Sequence, residues 1–480
     1  MRMPAIPSMI VLMLIAILLA SMPASAATPP TLRVDIQHSG DANVEHYALE
    51  RIVIEPLPWP GNPDQLVDAT NRGSQKFEVA DAASGKLLYS RGYATIFGEW
   101  RSTDEAKATQ RSFQESLRFP TPTAPVKITL YGRDAANAFA PSWSVTVDPN
   151  ALDVERVAQP APAALPKGMP IAIRHNGDSA HKVDLLLLGD GYTATEMGKF
   201  EERARALADH LFSVSPFKER ASDFNVWALA VPTQESGVSR PSTGIHHASS
   251  IGARYDIFGS ERYVLTLDNR AFRELAQYAP YDAVEIMVNG QTYGGGGIFG
   301  QFSTVAADND WRDYLFVHEF GHHFAGLADE YYTSPVSYAV ADKPTVEPWE
   351  PNVTALLDTG KLKWSRVSTS PVIPSPTPWP KAEFETYQRG IQARRAQLRT
   401  DQRPEAEMSA LFHEEQAHVE ALFAKAKYRN AVGAFQGGNY SATGYYRPQL
   451  QCMMFTRSDA FCSVCQHAIE EIIDLYTQPR

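Results

Sequence analysis

His318, Glu319 and His322 carry the strongest chemical signal in this 480-residue sequence. They stand in WRDYLFVHEFGHHFAGLADEYY, the run from Trp311 to Tyr332. There Leu315, Phe316 and Phe320 supply an apolar side, and Asn309 or Asp310 can cap a helix starting at Trp311. Histidines four residues apart on a helix project from one face, a turn above each other, so two imidazoles can occupy adjacent corners of a zinc tetrahedron. Glu319, about 100° round the helix, is placed to reach a metal-bound water instead of the metal. The chemistry implied is hydrolysis: the zinc acidifies the water and polarises a carbonyl, and Glu319 moves the proton.

A catalytic zinc ordinarily has three protein ligands, and the spacing supplies two. Gly326 permits the positive φ that ends a helix, and either Asp329 or Glu330 beyond it can return toward the metal. The segment HEFGHHFAGLADEYY, His318 to Tyr332, resembles the zinc-binding segment of the IgA peptidase family of metallopeptidases, within the metzincin-like group. That resemblance implies Asp329 as the third ligand, ahead of Glu330, and one zinc ion per chain. The glycine stands one residue later than in the usual metzincin pattern, and aspartate replaces its third histidine. The resemblance also implies a methionine turn, matched by Cys452-Met453-Met454, in which the thioether of Met453 or Met454 would floor the site without ligating zinc.

Several elements must position these groups. Residues 28–150 hold short apolar alternations separated by Gly, Pro, Asn and Asp, among them Thr31 to Ile36, Ala48 to Ile54, Lys76 to Val79 and Val126 to Tyr131. They predict an all-β sandwich with an accessory role in folding or substrate docking. A Pro/Ala-rich linker over 151–170 leads to a domain spanning 171–480. There Val183 to Leu188, a helix from about Ala194 to Phe212, Phe224 to Val231, a helix near Arg270 to Tyr278 and Ala283 to Asn289 alternate. That order predicts a largely parallel mixed sheet covered by helices, an α/β (α+β) metzincin-like catalytic domain on the resemblance. Gly294 to Gly297 fit either an exposed edge where an extended peptide adds as a strand or a flexible loop. Residues 334–439 form an insertion between the motif helix and the methionine turn, helix-prone from Lys381 to Tyr428 with a break at Pro404. Its His413 and His418 are five apart and read as surface or packing residues, and His323 as a neighbour facing away from the metal.

The three cysteines, Cys452, Cys462 and Cys465, exclude a four-cysteine zinc ribbon within one chain. In an oxidising compartment they predict one disulfide, from Cys452 to Cys462 or Cys465, and one free thiol. Such a compartment is indicated by residues 1–26, where Arg2, the apolar run Ile10 to Ala20 and Ala24-Ser25-Ala26 form a signal peptide. No other stretch is apolar enough to span a bilayer, so no integral membrane segment is expected after cleavage. A net charge of −11 without a basic stripe excludes an electrostatic nucleic-acid binder.

The reading is therefore a secreted or periplasmic zinc endopeptidase acting on protein or peptide substrates, its oligomeric state left open. The alternative is a surface or periplasmic binding protein with a structural zinc, which would have no need of Glu319 as a base.

Overall fold

The computed structural model describes residues 28–158, 165–334, 343–367 and 373–479. The expected leader at 1–26 and the centre of the expected Pro/Ala-rich linker lie outside the described residues.

The N-terminal region is β-rich. One four-stranded sheet runs, in spatial order, Arg111–Pro120, Pro30–Gly40, Glu45–Pro58 and Glu155–Arg156; the other runs Leu87–Tyr93, Gln75–Asp81, Val126–Arg133 and Phe139–Val147. Inward-facing Leu32, Val34, Ile36, Leu117 and Phe119 from the first sheet share a core with Phe77, Val79, Ile128 and Leu130 from the second. The strand Arg111–Pro120 lacks a clear apolar alternation because two of its buried positions are polar. Glu115 there is bonded to His38 Nδ1 (2.7 Å), and Ser116 Oγ donates to Asp35 (2.5 Å). Buried polar groups satisfied by long-range partners leave no local hydrophobic signal.

The rest of the chain is mixed α/β. Its six-stranded sheet has the order Gly295–Ile298, Phe302–Ala306, Ala283–Val288, Val183–Asp190, Phe224–Ala230, Ile171–Arg174. The four central strands are parallel, and each edge strand is antiparallel to its neighbour. Every residue of Val183–Asp190 is buried, so this central strand reads as a continuous apolar run rather than an alternation. Successive side chains still point to opposite faces. Leu185 and Leu187 pack with the helices Met197–Leu211, Arg312–Ala325 and Ser463–Thr477, through Phe200, Leu207, Phe316, Phe320 and Ile469. Leu186 and Leu188 pack with the helix Asn269–Ala276 and with Ile96, Phe97 and Trp100 of a short helix, Ile96–Trp100, in the N-terminal region. The β-rich region thus closes one face of the central sheet.

The insertion contains two helices, Lys381–Thr400 and Glu405–Ala424, which break around Pro404 and bury Phe384, Ile391, Leu411 and Phe412 in the first of these cores. His413 lies against Trp311 and His418 stacks on Tyr387, both rings on the exposed surface of their helix. Among the described residues no helix is long and apolar enough to cross a membrane.

Candidate active site

The motif helix spans Arg312–Ala325. Asn309 Oδ1 accepts the Trp311 N–H (2.9 Å) just before its first turn. At the other end Gly326 adopts φ +63° and its N–H bonds back to His322 O (3.0 Å). That left-handed residue ends the helix and turns the chain back over it. Asn352 fixes the returning segment by accepting from Ala328 N (2.8 Å) and donating to Ala328 O (2.9 Å). Asp329 is thereby delivered to the two imidazoles.

Three donor atoms converge. His318 Nε2 and His322 Nε2 are 3.3 Å apart, and Asp329 Oδ1 lies 3.1 Å from the first and 3.2 Å from the second. Metal–ligand bonds of about 2.0–2.1 Å in a tetrahedron put donor atoms about 3.3–3.4 Å apart, close to these edges. The rest of each side chain supports that use. His318 Nδ1 bonds to Met453 O (3.1 Å) and His322 Nδ1 to Leu327 O (2.6 Å), which puts the protons on Nδ1 and turns the Nε2 lone pairs inward. Tyr440 donates its hydroxyl to Asp329 Oδ2 (2.5 Å). Asp329 Oδ1 is buried with no aligned hydrogen-bond donor, an orphan that a cation would satisfy.

The electrostatics agree. Burial would raise the Asp329 pKa, but the two imidazoles outweigh it and hold the carboxyl well below its ordinary range. Burial likewise lowers His322, and the Asp329 charge reverses this to about 9. A proton on His322 answers the Asp329 charge, and ligation of a cation through Nε2 would displace that proton and leave the Nδ1–H tautomer. Glu319 faces the same cavity, its pKa raised by burial against the pull of His318 and His322.

His323 is buried. Its Nδ1 bonds to Ile298 O (3.1 Å) and its Nε2 accepts the Val284 N–H (3.1 Å), so it ties the helix to two sheet strands as a neutral ring. Burial pushes its pKa down to about 3. Glu330 points away from the imidazoles and bonds to Asn352 Nδ2 (3.0 Å), so Asp329 is the carboxylate the fold brings to them.

A cavity of about 320 Å³ opens in front of these groups. The edge strand Gly295–Ile298 forms one wall, and its glycines let the helix approach. A Cβ on Gly297 would lie 2.5 Å from Glu319 O and 2.8 Å from His322 Cβ; one on Gly295 would lie 3.0 Å from Glu319 Cγ. The run is an edge strand and not a flexible loop, although Gly295 is already bonded to Arg262 O and Val264 N, so its exposed edge is shorter than the sequence suggests. Gly98 and Glu99 of the N-terminal region also line the cavity, and burial raises Glu99 to about 7.

The Cys452-Met453-Met454 segment meets the site through its backbone, Met453 O holding His318 and Met454 O accepting the Glu330 N–H (2.8 Å). Tyr331 lines the cavity together with Tyr314, Tyr440 and Arg262, and Arg262 Nη2 donates to the Tyr331 hydroxyl (3.1 Å). Arg262, Glu99, Asn352 and Tyr440 carry no spacing signal that would mark them in the sequence. The expected disulfide is absent. All three cysteines are free, and Cys452 Sγ and Cys465 Sγ stand 3.7 Å apart in a pocket shared with Glu330, a separation that leaves two distinct thiols.

An edge strand, a helix bearing two converging imidazoles, a returning carboxylate and a second carboxylate over an open cavity define a hydrolase site of the peptidase kind. The family profile described as IgA Peptidase M64 matches residues 171–473, and Peptidase M64 N-terminus matches residues 24–144. The chain belongs to the IgA peptidase M64 family and is a peptidase, with proteins as its substrates. No curated protein matches it.

Proposed function

We propose that the protein is a secreted or periplasmic zinc-dependent endopeptidase with a metzincin-like catalytic domain over 171–480. His318, His322 and Asp329 would hold the ion and Glu319 would act as general base. The observation that carries this reading is the convergence of two Nε2 atoms and one Oδ1 at 3.1 to 3.3 Å beside Glu319. A bound zinc supplies Lewis-acid polarisation of the scissile carbonyl and lowers the pKa of water.

The chain's own residues do the remainder. Glu319 takes a proton on its carboxylate from the attacking water and returns it to the leaving amine. Its raised pKa makes the carboxylate a stronger base toward that water. The edge beyond Gly295 gives an extended peptide backbone partners next to the imidazoles. Tyr331, oriented by Arg262, is a donor on the cavity wall for charge developing on the substrate oxygen. The leader at 1–26 supports export. A non-catalytic binding protein is disfavoured, because a structural metal site needs neither a carboxylate base nor an open cavity in front of it.

Glu319→Gln tests the reading on a denatured-protein digest followed by product mass spectrometry. Metal content should be unchanged and turnover should fall by about 10²- to 10⁴-fold, the range for a lost general base. Activity retained in that variant refutes the mechanism.

A further inference from the structure

The pocket holding the three cysteines lies behind the active site, between the turn after the motif helix, the methionine turn and the last helix. Cys452, Cys465 and Glu330 have no solvent exposure and Cys462 is 4% exposed. The three sulfurs and a Glu330 carboxylate oxygen all lie within 4.8 Å of one another. Cys452 Sγ is 3.7 Å from Cys465 Sγ, and Cys465 Sγ is 3.4 Å from Glu330 Oε1. A tetrahedral zinc with bonds of about 2.3 Å to sulfur and 2.0–2.2 Å to oxygen requires edges of about 3.8 Å between sulfurs and 3.5 Å between sulfur and oxygen.

We infer that Cys452, Cys462, Cys465 and Glu330 form a second, structural metal site of the Cys₃Glu type, taking a thiophilic divalent cation such as zinc.

Three features argue against a mere packing cluster. Glu330 Oε2 is buried with no hydrogen-bond partner, an arrangement that costs free energy unless a cation or proton satisfies it. The backbone N–H of Cys462 donates to Cys452 Sγ (3.2 Å), a bond that favours thiolate. Cys462 occupies the N-cap position of the helix Ser463–Thr477 and Cys465 lies in its first turn, so both sulfurs sit at the positive end of the helix dipole. Three thiolates and a carboxylate around a divalent ion leave two negative charges, and buried Arg447 lies within Coulombic reach of Glu330 and Cys452 to offset one. Thiolate ligands select zinc over harder cations, and a bound ion also protects the thiols from pairing in an oxidising compartment.

The site has a structural consequence. Glu330 follows Asp329 and Cys452 precedes Met453, whose carbonyl holds His318. One ion would clamp both arms that present the active-site donors, joined as they are by the bond from Glu330 N to Met454 O (2.8 Å).

The test uses the full chain purified without chelator. A variant carrying His318→Ala and His322→Ala removes the first site and leaves the second intact. Native mass spectrometry should show that variant retaining one equivalent of zinc. Cobalt exchanged into it should give a near-ultraviolet thiolate-to-cobalt charge-transfer band, which no imidazole or carboxylate site produces. Its thiols should resist alkylation until a strong chelator is added. Adding Cys462→Ser and Cys465→Ser should abolish the band and the retained metal. If the variants fold poorly, the band in cobalt-exchanged wild-type chain is the deciding measurement. A disulfide found by non-reducing peptide mapping, or metal-free thiols that alkylate at once, overturns the proposal. Because the readout is thiolate ligation and not turnover, its failure would leave the reading of the first site untouched.

Discussion

Tyr440 is the sharpest lever on the active site that does not itself reach the proposed metal. Its hydroxyl donates to Asp329 Oδ2 at 2.5 Å, in a site where Asp329 is 5% exposed. The ring is aimed by a tight turn in which Asn439 and Tyr440 both take positive φ, 47° and 61°, between the strands Phe435–Gly438 and Ser441–Arg447. That turn is anchored independently of the hydroxyl, by Asn439 N to Asp329 O (2.9 Å) and Tyr440 N to Tyr331 O (3.0 Å). Tyr440→Phe therefore removes one hydrogen bond and keeps the ring against Tyr331. A hydrogen bond to a charged group contributes about 1.5–3 kcal/mol, which corresponds to about 10- to 150-fold in an equilibrium constant. Partners of ligating groups elsewhere contribute about 10- to 100-fold to metal affinity. Competition titration of zinc against a chromophoric chelator should thus show affinity lower by one to two decades, with the far-ultraviolet circular dichroism of the metal-stripped protein unchanged. Affinity within about twofold of wild type would mean that Tyr440 does not orient the ligand, and the role given to its hydroxyl would be refuted.

Gly297→Ala should lower stability by about 1–3 kcal/mol, the usual cost of overpacking, and weaken metal binding with it, because the new Cβ pushes on Glu319 O and His322 Cβ. Urea unfolding and the same chelator titration check both, and unchanged values would show that the strand and helix can separate freely. A pH effect is expected far from the active site, at His38, which is buried between Glu115 (2.7 Å) and Glu45 (3.4 Å). Burial lowers its pKa, but the two carboxylates outweigh burial and raise it. A pKa raised on folding stabilises the protein fully below the unfolded value of about 6.5 and ceases to do so as pH climbs through the folded value. The stability lost in His38→Gln should accordingly be largest near pH 6 and shrink toward alkaline pH, and a loss that grows with pH would contradict the assignment.

The sequence by itself determined the local parts. H-E-x-x-H on an apolar-sided helix places His318 and His322 on one face through helical period alone, and Gly326 ends that helix because few other residues take its φ of +63°. The run Val183–Asp190 announced a buried strand through its composition. Local chemistry also fixed the choice of residues to consider for the third donor, Asp329 and Glu330, though not the choice between them.

Tertiary structure decided what depends on distant segments meeting. Asp329 and Glu330 are adjacent and chemically alike, yet backbone alternation sends one toward the imidazoles and the other into a pocket of thiols. The cysteines, which by spacing and compartment suggested a disulfide, instead stand apart around a carboxylate more than a hundred residues earlier in the chain. The strand Arg111–Pro120 stayed illegible because its buried Glu115 and Ser116 are satisfied by His38 and Asp35, partners that sequence periodicity cannot register. The same holds for Tyr440 and for Glu99, which lines the cavity from the N-terminal region. Periodicity reports which face of an element is buried, whereas a site assembled across the chain depends on which faces the core brings together.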